Sequence, residues 1–168
     1  MRAQKRAATD QRQRYEEAER RTLEGTLRAI AAALKVLKAD FFDPLDKELK
    51  DRARCNASGA LQITRVEQNR VKVFQSNAHL LARINNDELR EQIVRVYGLI
   101  GGLFDYANTM AQDYDHLLSL GVSHPNENQI LRAKLKELES HVRDGMQVIQ
   151  GDISRALEKI DKYLTGPL

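Results

Sequence analysis

The sequence predicts an all-α fold, an elongated antiparallel bundle of three long helices plus one short helical or irregular element, and three observations carry that prediction. Apolar residues recur in alternating steps of three and four over three long stretches, the spacing of helices that bury one stripe against other helices. Only three prolines and no tryptophan occur in 168 residues, while Ala, Leu, Arg, Glu and Lys recur throughout, which favours helix over strand. Helix breakers cluster at a few points, around Asp43-Pro44, Asn56 to Gly59, Asn85 to Asp87 and Gly121 to Pro125, so the helices between them are long.

The first seam runs through Leu23, Leu27, Ile30, Leu34, Leu37 and Phe41. Upstream of it, Glu16 with Arg20 and Glu17 with Arg21 are spaced for pairing along a helix, which predicts a helix start near Asp10 and a solvated stem without a seam. Asp43 before Pro44 reads as an N-cap followed by proline at the first helical position, which ends the first helix and starts a short second one carrying Leu45 and Leu49. That helix is expected to stop near Asn56, Ser58 and Gly59.

Between Leu61 and Phe74 the alternation of Leu61 with Ile63 and of Val71 with Val73 fits a small hairpin. An irregular crossing followed by a short helix through Asn77 to Ile84 fits equally, since a lone hairpin is marginal in water. After the capping residues Asn85, Asn86 and Asp87, the second long seam uses Leu89, Ile93, Val96, Ile100, Leu103, Ala107, Met110, Tyr114 and Leu117 and stops at Gly121. The third starts around Ser123, His124 and Pro125, uses Leu131, Leu135, Leu138, Val142, Met146, Ile149, Ile153, Leu157, Ile160 and Leu164, and ends at Gly166-Pro167. At 1.5 Å per residue each of these two helices spans about 50–60 Å. The chain reads as one helical domain, residues 1–168, with residues 1–22 as a basic, partly solvated helical stem.

No run of about 18 apolar residues is present, and the longest candidate, Ile93 to Phe104, is interrupted by Arg95, so a spanning helix is not expected. The N-terminus has no apolar stretch behind its charges and does not read as a signal peptide. Cys55 is the single cysteine, which excludes an internal disulfide and agrees with a cytoplasmic location.

Catalytic chemistry finds no support. A di-iron carboxylate bundle needs Glu-x-x-His pairs pointing inward; the chain offers one Asp113-x-x-His116, and Glu137 with His141 on an outer face. Cys55, Ser119 and Ser123 lack the context of an activated nucleophile. No catalytic residue, metal site, cofactor or small-molecule substrate is therefore expected. Gly98, Gly101 and Gly102 lie within a helix rather than in a phosphate-binding loop. Glycine weakens a helix interior by about 1 kcal/mol relative to alanine, so three within five residues predict a close helix approach, with Gly145 and Gly151 as the facing small residues; the alternative is a ligand or a partner backbone at that spot.

Arg2, Lys5, Arg6, Arg12 and Arg14 stand against Asp10 alone in the first fourteen residues. Such an arm suits an anionic membrane surface. A net charge of +3, with no aromatic residues interleaved among the basic ones, argues against nucleic acid as the partner. Besides its main seam, the second long helix carries Val94, Tyr97, Leu99, Phe104, Tyr106 and Leu118, more apolar surface than a three-helix rod covers. A homo-oligomer or partner helices are expected, with Val94, Tyr97 and Phe104 at the interface.

The segment Val73-Phe74-Gln75-Ser76-Asn77-Ala78-His79-Leu80-Leu81, continued by Leu89 and Ile93-Val94-Arg95-Val96-Tyr97, resembles a loose class of uncharacterised bacterial membrane-anchored helical proteins over about Arg20 to Leu118. The resemblance implies a single N-terminal membrane span, a basic flank and a long helix, and no activity. This sequence has no such span, so the implied anchor would be a segment preceding Met1, with the basic arm holding the domain on the cytoplasmic side. The function expected is a non-enzymatic helical interaction or scaffold module associated with the inner membrane. The alternatives are a nucleic-acid-associated helical protein using the basic arm and, third, a metal-dependent helical-bundle enzyme.

Overall fold

The computed structural model describes residues 2–55, 72–120 and 125–166, and every element among them is helical. Helix α1 spans Arg2–Leu37, α2 Asp43–Cys55, α3 Lys72–Leu81, α4 Asp87–Leu120 and α5 Pro125–Thr165. No helix among the described residues is long and apolar enough to cross a membrane.

Helix α1 begins at Arg2, about two turns before the expected start near Asp10. Its seam is buried where the spacing places it, with Leu27, Ile30, Leu34 and Leu37 at 0–1% exposure. The seam then changes step. Residues Lys38–Phe42 form a π-helical turn joining α1 to α2, so the expected break at Asp43 is absent: Leu37 and Asp43 both keep right-handed helical angles, and the Asp43 N–H donates to the Lys38 carbonyl. Pro44 explains the turn. In an uninterrupted α-helix it supplies no N–H and its ring meets the carbonyl four residues earlier, a conflict relieved by the wider turn just before it. One extra residue per turn also moves the seam from Leu37 to Phe42, then to Leu45 and Leu49, all buried, leaving Phe41 half-buried. Asp43 is therefore a residue inside a continuing helix, not an N-cap.

The region expected to be a hairpin or a crossing falls mostly on residues 56–71, outside the described residues. From Lys72 the chain is helical, earlier than the expected Asn77, and α3 ends in tight turns from Leu80 to Arg83 and from Leu81 to Ile84. Helix α3 packs on α1, and Arg83 reaches Glu19 at 2.9 Å.

Asn86 caps α4, its Oδ1 accepting from the Leu89 N–H at 2.9 Å, as Asn side chains do at helix starts. Helix α5 opens on Pro125, whose missing N–H costs nothing in a first turn. It closes with the Gly166 N–H donating to the Lys162 carbonyl at 2.9 Å. A Cβ at Gly166 would lie 2.9 Å from that same oxygen, so the closing turn needs glycine.

Helices α4 and α5 pack along their lengths. Lys159 meets Glu88, Asp152 meets Arg95, and Lys134 meets Asp113, so the two run in opposite directions. Between them lie Leu89, Ile93, Val96, Ile100, Leu103, Ala107 and Met110 of α4, facing Val142, Met146, Ile149, Ile153, Ala156 and Ile160 of α5. Ala156 is buried where the spacing placed Leu157, because the α5 seam drifts against a strict seven-residue repeat. Helix α1 contacts α5, and Phe41 sits edge-on to both Phe42 and Phe104, at 5.2 and 5.4 Å between ring centres.

Candidate functional site

Stepping back from Leu23 by threes and fours, the α1 stripe continuous with the buried seam reaches Arg20, Glu16, Arg12, Thr9, Lys5 and Arg2. A charged stripe has nothing to bury, and Thr9 through Ala18 are all exposed. The stem stays helical with pairs at i,i+4 spacing: Arg12 with Glu16 at 2.8 Å, Arg20 with Glu24 at 2.9 Å, and Arg28 with Glu24 at 3.5 Å. The Glu16 carboxylate, through its hydrogen bond and charge, raises the Arg12 guanidinium above its usual range. Arg2, Lys5 and Arg6 lie on the helical backbone, but their side chains fall outside the described residues. Arg12 continues the Arg2 and Lys5 stripe, whereas the exposed Arg14 lies on a different one.

Residues 1–22 hold seven basic and four acidic side chains. Their excess of three equals the chain's formal net charge of +3, so residues 23–168 are balanced. The entire charge asymmetry of the protein sits on its stem.

Of the three side chains expected at an oligomer interface, the structure leaves one outside. Val94 is 51% exposed, but Tyr97 and Phe104 are each 3% exposed. Phe104 is enclosed by the Phe41 contact, and burial pushes the Tyr97 phenol up to about 12, so it is neutral at physiological pH. More of α4 is covered than the sequence suggested, in part because the π turn brings Phe41 against Phe104. The apolar groups left outside include Tyr106, Leu118, Ile130 and Val148.

The glycines also depart from expectation. A Cβ at Gly98, Gly101, Gly102 or Gly151 would meet open space, and one at Gly145 would make only an ordinary 3.9 Å contact with Leu103. No close approach among the described residues accounts for them.

Sequence reasoning missed Asp152, a carboxylate 1% exposed in the α4–α5 contact. Arg95 Nε donates to its Oδ2 at 3.0 Å, Gln92 Nε2 to its Oδ1 at 3.3 Å and to its backbone carbonyl at 3.1 Å, and Arg155 also pairs with it. Burial alone would push this carboxyl up; the hydrogen bonds from Arg95, Gln92 and Arg155, with the charge of Arg155, outweigh it and hold it below the usual range. The only signal available was its place beside Ile153 with Arg155 three residues on.

Asp113 is half-buried and ion-paired with Lys134 at 2.7 Å, while His116 is exposed. His141 lies near Tyr106, 5.9 Å between ring centres. Among the described residues no group of three His, Cys, Asp or Glu is placed to hold a metal ion. Comparison with known proteins matches this chain to no protein family, no curated protein and no solved structure.

Proposed function

We propose that the protein is a non-enzymatic helical interaction and scaffold module, a packed core that presents a basic helical arm to an anionic membrane surface. In this reading α1 continued by α2, α4 and α5 are the three members of an elongated antiparallel bundle, and α3 is the short element against one end. The opposed register of α4 and α5 and the edge-on contacts of Phe41 support that arrangement.

The observation that carries the functional reading is the separation of charge from packing. The stem supplies the whole net charge and its described side chains from Thr9 to Ala18 are exposed, which is the geometry an anionic surface recognises. Arg2, Lys5, Arg6, Arg12 and Arg14 are the contact residues proposed. A tether through a preceding segment, on the cytoplasmic side of the inner membrane, fits the same arm.

Co-sedimentation with vesicles of phosphatidylglycerol and phosphatidylcholine tests the reading. The full chain is expected to bind and to release as salt rises. Removing residues 1–14 is expected to weaken binding by about 1 kcal/mol per basic residue that reaches the surface, with helicity of the core retained. Equal binding by the two chains contradicts the proposal, and salt-dependent retention on DNA without vesicle binding replaces the membrane with nucleic acid.

A further inference from the structure

We propose that the outward face of α4 docks against the same face of a second copy of this chain, the two α4 helices running in opposite directions about Ile100. This rests on the reading of the protein as an interaction module but uses a surface separate from the arm.

Gly98, Gly101 and Gly102 weaken the interior of α4, and among the described residues nothing lies within 4 Å of a Cβ built at any of them. They leave a shallow strip onto which a second helix backbone can come close. Apolar and charged side chains border the strip. Val94 and Tyr106 are 51% and 47% exposed, and Asp105 is exposed between Tyr106 and the glycines. Arg95 is held by its Nε on Asp152 with the side chain 62% exposed, so its guanidinium is positioned without being enclosed. Val148 of α5 is exposed as well, and the register set by Arg95 with Asp152 and Tyr106 with His141 places it level with Leu99.

The order of these residues selects the occupant and its direction. Val94 and Tyr106 lie six residues either side of Ile100, Arg95 and Asp105 five, and Gly98 and Gly102 two. A second α4 running antiparallel about that point sets Gly98 against Gly102 of the partner subunit. It also brings Arg95 within reach of Asp105 of the partner subunit, and Val94 toward Tyr106 of the partner subunit, each contact made twice by the twofold axis. A parallel copy would set Arg95 against Arg95 and Asp105 against Asp105, which opposes association. One helix crossing buries less than the roughly 1,200–2,000 Å² of a stable complex, so the dimer forms and dissociates with concentration.

Sedimentation equilibrium of the full chain from low to high micromolar tests this, with Gly102→Leu and Asp105→Asn beside it. The parent is expected to pass from 19.2 kDa toward twice that mass. Gly102→Leu fills space that no described residue occupies, so helicity is retained while the dissociation constant rises at least tenfold. Asp105→Asn, an exposed and nearly isosteric change, is expected to weaken the dimer several-fold; a parallel pair would instead be tightened by it. A single species at the monomer mass throughout, a dimer indifferent to Gly102→Leu, or one unchanged or tightened by Asp105→Asn overturns the proposal. Vesicle binding that survives in such a case shows that only this docking has failed, and not the reading of the arm.

Discussion

Ile100 has no exposed surface and lies on α4 among the residues that face α5. An aspartate there is a buried charge with no partner, costing several kcal/mol against a total of about 5–15 kcal/mol for a domain. Ile100→Asp is expected to abolish the cooperative thermal transition, and a melting point within a few degrees of the parent would mean that α4 turns a different face inward. Asp152 makes the opposite point, since it is a charge the core accepts because two arginines and a glutamine meet it. Its native pKa is lowered, so its contribution is complete above the unfolded value near 3.9 and is lost as pH falls through the native one. Asp152→Asn is expected to cost about 1–2 kcal/mol at pH 7, reduced because both arginines remain open to solvent. In urea titrations the difference from the parent should shrink below about pH 4; a gap that stays constant with pH would show that the ionised carboxylate contributes nothing.

At the scale of the helices, caps and seams decide where elements begin and which face they bury. Asn86 satisfies the Leu89 N–H, and Asn86→Ala is expected to cost about 1 kcal/mol, read as a fall of about 2–4 °C in Tm. No change would show that this amide is satisfied by water at no cost. The apolar seams were legible because Leu27 to Leu37, Leu89 to Met110 and Leu135 to Ile160 repeat at the pitch of a helix, and a repeat sustained over many turns has one structural meaning. The π turn was not, because Asp43-Pro44 has the same letters whether the helix restarts or widens by a residue. The burial of Phe104 is hidden for the same reason: the turn that brings Phe41 onto α4 cannot be read from α4 alone. The burial of Asp152 likewise depends on side chains some sixty positions away in sequence.

For the whole molecule, the sequence made the basic arm visible as a local excess of arginine and lysine. The neutrality of the rest of the chain follows from the charge count alone, whereas the exposure of the arm from Thr9 to Ala18 emerges only from the structure. The glycines of α4 changed meaning at this scale, from an expected close helix approach to a surface that no described residue covers. On the proposed reading the protein acts through what it touches, and the arm is where that claim is most exposed to test. Hydrogen exchange along α1, with and without phosphatidylglycerol vesicles, measures it directly. Amides from Leu27 through Leu49 should exchange slowly in both conditions, while those N-terminal to Glu19 exchange quickly in solution and slow on vesicles. Stem amides as protected as the core in free solution, or stem exchange that vesicles leave unchanged, would contradict the account.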